Sequence, residues 1–128
     1  MNVYQQTQSL LEYLYSLDDK DFRDLDVLDA VRALLESENE EVREIAFLRL
    51  GCRAKDPWII EKCLEVLRNG EEAELVFSSA VAALVCLADS GLNRETIIEE
   101  IENAFKHSII ENRNVVLQRA LGDLGKTP

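Results

Sequence analysis

Soft metal ligands are scarce in these 128 residues: one histidine, His107, and three cysteines, Cys52, Cys63 and Cys86. Neither their number nor their spacing suits zinc, and there is no CxxC pair. GxSxG, HExxH and a phosphate-cradling glycine loop are all missing, and glycines number only five. An enzyme is therefore not expected, nor a cofactor or a metal. His107, beside Lys106, reads as a cation near a helix C-terminus. No run of 18 apolar residues is free of charge. The opening MNVYQQTQSLLEYLY lacks a basic stretch and a small-residue cleavage site. The expectation is a soluble, cytoplasmic protein without membrane contact. The odd cysteine count fits a reducing compartment, with Cys63 and Cys86 acting as small buried hydrophobes. Basic residues are also few: 14 Lys and Arg stand against 25 Asp and Glu, a formal charge of −11. Such a surface repels phosphate backbones, which argues against nucleic acid and for a basic partner.

What is present is repetition. In NEEVREIAFLRLGCR (residues 39–53), Val42, Ala46 and Leu50 recur every four residues, the spacing of one helix face. Val76, Ala80 and Leu84 repeat them thirty-four residues later, and Val116, Ala120 and Leu124 forty residues after that. Glu38/Glu72, Glu40/Glu74, Cys52/Cys86 and Ala54/Ala88 are further identities at the first spacing. A fixed period of this size marks a repeat architecture.

In chain order, Val3, Thr7, Leu10, Leu14 and Leu17 give a capping helix over residues 2–18, its stripe widened by Tyr4, Leu11 and Tyr15. Three helical hairpins follow, over about 24–54, 56–90 and 93–125. Their starts are marked by Asp24 and Asn39, by Asp56-Pro57 and by Asn93. Asn69-Gly70 and Ser90-Gly91 read as stops. The helix expected over Glu72–Asp89 is nearly all apolar, so it is expected to be enclosed. Residues 125–128 form a short tail. The whole is one all-α domain of about seven helices.

The pattern Asn39-x-x-Val42-Arg43-x-x-Ala46-x-x-x-Leu50-Gly51 resembles the second helix of a HEAT-like repeat, of the short kind associated with phycobilisome lyases. The likeness runs over roughly residues 25–125. It implies a right-handed α-solenoid of about three hairpins plus the cap, and a binding role rather than catalysis. Arg43 has no counterpart in the later units, where Phe77 and Leu117 stand, so a regular Asp/Arg ladder is not expected.

A small, acidic, stand-alone bacterial repeat protein of this kind resembles the immunity proteins that mask a basic nuclease-type toxin. That is the expected function; the alternative is a HEAT-type scaffold or assembly factor recruiting a partner enzyme. The chain is expected to be monomeric when free. The partner-binding candidates fall in three places. An acidic ridge along the intra-repeat turns takes Glu36, Glu38, Glu40, Glu41, Glu71, Glu72, Glu74 and Glu111, strengthened by Asp18, Asp19, Asp21, Asp24 and Asp26. The outward positions of the second helices take Glu44, Phe47, Ser78, Asn114 and Gln118. Trp58 stands apart, on the far side of its helix from Ile60 and Leu64.

Overall fold

Short polar side chains set four of the helix starts. In the computed structural model, which describes residues 2–126, Asn2 and Gln5 form a reciprocal capping box at the head of α1 (Val3–Ser16). Asp24 accepts from the Asp26 N–H to open α2 (Leu25–Ala33), and Asn39 accepts from Val42 to open α3 (Glu40–Leu48). Asp56 accepts from the Trp58 N–H ahead of a 3-10 turn, Pro57–Ile59, that runs into α4 (Ile60–Arg68). Then come α5 (Glu74–Asp89), α6 (Arg94–His107) and α7 (Glu111–Asp123); none of the described residues lies in a strand.

Two expected signals act differently. Asn93 does precede α6, but its backbone is left-handed (φ 48°) and its side chain makes no capping bond. Asn69 ends α4 in an extended conformation, and the positive-φ glycines are Gly91 and Gly125, not Gly70. Thr127 and Pro128, the end of the expected tail, lie outside the described residues.

Most of the core forms around α5, which packs against α3, α4, α6 and α7. Val76, Ala80, Leu84, Leu87 and Ala88 are all but inaccessible. The repeated triplets behave as packing positions: Val42, Ala46 and Leu50 are fully buried, as are their second-unit equivalents. α1 covers α3 through Leu11 and Leu14, whereas Val3, Tyr4 and Tyr15 are exposed, so the buried stripe is narrower than its sequence pattern.

The helix expected over residues 39–53 changes pitch part-way. After Leu48 it widens into a π-helical turn, Arg49–Arg53, closed by the Ala54 N–H donating to the Arg49 carbonyl at 2.9 Å. Gly51 in that turn faces α5, where an added Cβ would lie 2.6 Å from Ala83 Cα, so only glycine fits without displacement. One residue on, Cys52 is disulfide-bonded to Cys86, with Cα atoms 5.2 Å apart. This corrects the reading of Cys86 as a free hydrophobic thiol, and with it the inference of a reducing compartment from the odd cysteine count. The two cysteines occupy the same position in successive units, and the close helix approach at Gly51 brings those positions together. Cys63 stays free and buried, and burial pushes its thiol pKa up, which leaves it unreactive.

Candidate functional site

Three of the ridge carboxylates are engaged inside the molecule. Arg43 donates Nη1 to the Ser37 carbonyl of its own turn at 2.8 Å and Nη2 to Glu72 of the next unit at 2.8 Å. Arg113, itself buried, donates Nε to Glu74 at 3.1 Å and Nη2 to the Glu72 carbonyl. Its guanidinium lies 4.5 Å over the ring of Phe77, the residue that replaces Arg43 in the second unit. A ladder between units thus exists, but its second rung comes from a different position. Glu72 is partly buried, which alone would raise its pKa. Hydrogen bonds from Arg43 and the Ala73 N–H, with the charges of Arg43 and Arg113, hold it below the ordinary value instead.

The first helices of the hairpins are linked by a second set of pairs. Glu36 meets Lys62 at 3.5 Å, and Arg68 meets Glu100 at 3.1 Å. Position 68 answers 36, and 100 answers 62, with the signs reversed. Behind each pair lies a cleft between neighbouring units. One, of about 240 Å³, takes Lys62, Glu65, Val66 and Asn69 from α4. The other, of about 380 Å³, takes the equivalent Glu100, Asn103, Ala104 and His107 from α6.

Glu38, Glu40, Glu41, Glu71 and Glu111 make no ion pair among the described residues, nor does Glu44. Burial first, then the neighbouring Glu41 and Glu40, raise the Glu44 pKa above its ordinary value. The Asp18–Asp26 segment does not extend this cluster. Arg49, at the other end of α3 from Glu40, donates to the Leu17 and Tyr15 carbonyls, which holds the segment at the opposite edge.

Phe47 is not an outward residue. It is 4% exposed, and the positions that answer it in the other units, Val81 and Leu121, are buried too. That apolar row was the signal that could have placed it inside. Trp58 is 47% exposed and lies beneath Arg32, whose guanidinium is 4.8 Å from the ring centre. Asp56 is buried and holds Arg32 through two hydrogen bonds of 2.7 and 2.8 Å. Asn114 is half-buried and donates to the Ser108 carbonyl at 3.4 Å; Ser78 is half-buried and Gln118 exposed.

No family model matches the chain, and no curated protein or solved structure does either. The geometry alone must speak for the site. Among the described residues no three His, Cys, Asp or Glu side chains converge on a metal position, and no helix is long and apolar enough to cross a membrane.

The outward face of α3, α5 and α7 completes the picture, with α3 and α7 on either side of α5. Glu41, Leu75 and Val115 occupy one repeat position; Leu75 is 57% and Val115 51% exposed. Glu44, Ser78 and Gln118 form the neighbouring row, and Leu48, Ala82 and Gly122 the next. The face therefore passes from acidic on α3 to apolar and neutral on α5 and α7. Arg32, Arg43 and Arg113 were not singled out in the sequence as site-forming residues. Their partners lie 24 to 41 residues away, where no local pattern announces them.

Proposed function

We propose that the chain is a right-handed, HEAT-like stack of three hairpins with a capping helix, and that it works as a non-catalytic protein-binding module. Its partner is a basic protein, of the nuclease-type toxin class that an acidic bacterial immunity protein neutralises. The observation that carries the reading is the group Glu38, Glu40, Glu41 and Glu44, whose carboxylates make no ion pair among the described residues, the nearby Arg43 being spent on Glu72 and on the Ser37 and Glu38 carbonyls. Crowded carboxylates repel one another, and a partner's lysine or arginine relieves that repulsion on binding.

The second reading, a scaffold or assembly factor recruiting an enzyme, is favoured by the internal engagement of Glu36, Glu72 and Glu74. Those three support the fold and are not free for a partner. The two readings separate on salt. Co-expression of the chain with the protein encoded beside it, followed by affinity capture, should recover a basic protein. The association rate of that pair should fall at least tenfold between about 20 and 200 mM salt. Capture of a partner of ordinary charge, with a rate that hardly changes, supports the scaffold instead.

A further inference from the structure

Resting on the basic-partner reading above, we infer that docking takes place across the outward face of α3, α5 and α7. The occupant is a partner helix carrying three side chains spaced seven residues apart, cationic at one end of the set and apolar at the other two positions. The first argument is position. Glu41, Leu75 and Val115 share one repeat position on three adjacent helices, and the last two expose large apolar side chains. Packed helices lie roughly 8–10 Å apart, and residues seven apart on a helix are about 10.5 Å apart along its axis. A helix laid across the three therefore places positions i, i+7 and i+14 over Glu41, Leu75 and Val115 in turn, or in the reverse order. Ser78 and Ala82 beside them are small and let such a helix approach closely.

The second argument is charge. Glu40, Glu41 and Glu44 crowd the α3 end of the face, and burial and mutual repulsion hold Glu44 above its ordinary value, the direction that a cation reverses. The rival surfaces are less suited to a basic partner. On the turn edge, Arg43, Lys62 and Arg113 already answer Glu72, Glu36 and Glu74. Around Trp58, Arg32 and Lys62 both face the ring and would repel a cation.

A phage-displayed library of helical 21-residue peptides, randomised at i, i+7 and i+14, tests this against the full chain. Enriched peptides should carry Lys or Arg at one end position, the first or the third, and Leu, Ile, Met or Phe at the other two. The double variant Leu75→Asp/Val115→Asp should weaken them at least tenfold at any salt. Glu41→Lys/Glu44→Lys should do so mainly at low salt. Glu41, Leu75 and Val115 are exposed and Glu44 is half-buried, and circular dichroism checks that each variant is folded. Absence of enrichment overturns the inference, as do binders that hold within twofold on both variants. Binders lost instead on Glu38→Lys/Glu71→Lys leave the basic-partner reading standing and remove this face. Enriched peptides without a cation remove both. A concentration-dependent dimer that Leu75→Asp abolishes would assign the face to a second copy and overturn the proposal.

Discussion

Glu44 and Glu72 are two half-buried glutamates whose ionisation affects stability in opposite directions. The folded chain holds a proton on Glu44 more tightly than the unfolded chain does. Its charged form therefore costs stability above the raised pKa, and the cost vanishes as pH falls below the ordinary carboxylate value. Glu72 is the reverse: its contribution is present above the ordinary value and is lost as pH falls through the depressed one. Glu44→Gln should raise the urea midpoint at pH 7, with a gain under about 1 kcal/mol that shrinks toward pH 4. Glu72→Gln should cost about 1 to 2 kcal/mol at pH 7, because it weakens a charged hydrogen bond to Arg43. Urea titrations of both variants from pH 3 to 8 would check the opposing slopes. Gly51 gives a steric counterpart. Gly51→Ala forces a Cβ against Ala83 and should destabilise by about 1 to 3 kcal/mol. Ala83→Gly in the same chain should recover part of the loss, and a double-mutant cycle measures how much.

Between elements, the bond from Cys52 to Cys86 ties the π-helical turn after α3 to α5 across 34 residues. Closing a loop of that length contributes at most about 4 kcal/mol by restricting the unfolded chain. Full reduction, or Cys52→Ser, should lower the urea midpoint accordingly, with little change in helix content by circular dichroism. The outer helices offer a gentler test. Arg68→Glu should cost about 0.5 to 1 kcal/mol by setting a carboxylate beside Glu100 and Glu61, and Arg68→Glu/Glu100→Arg should recover most of it. Much of this scale was legible beforehand. Asp24, Asn39 and Asp56-Pro57 act as starts, and Val42, Ala46 and Leu50 pack, because caps and apolar periodicity are local properties of the chain. What was not legible is tertiary. The identity of Cys52 and Cys86 could be read as a repeat match, but not as a bond, because bonding needs the spacing between two helices. Phe47 by itself has the chemistry of an exposed contact and of a core residue alike, and only the apolar row it shares with Val81 and Leu121 points inward.

For the molecule as a whole, charge is unevenly spent. Eight of the 25 acidic side chains stand in ion pairs among the described residues, so most of the negative surface has no counterpart. An excess of that size attracts cationic molecules from a distance, and at physiological salt the attraction is largely screened beyond a Debye length of about 8 Å. The pairs on the outer helices have a different consequence. If the third hairpin collapsed onto the first and skipped the second, Glu36 would meet Glu100 instead of Lys62, carboxylate against carboxylate. Each such exposed contact is worth at most about 1 kcal/mol, so it adds to the specific fit of Gly51 against Ala83 and the Cys52–Cys86 bond and does not replace them. The reversed polarity acts as an address written on the outside of the chain. Adjacent first helices are complementary in sign, and those one further apart are not.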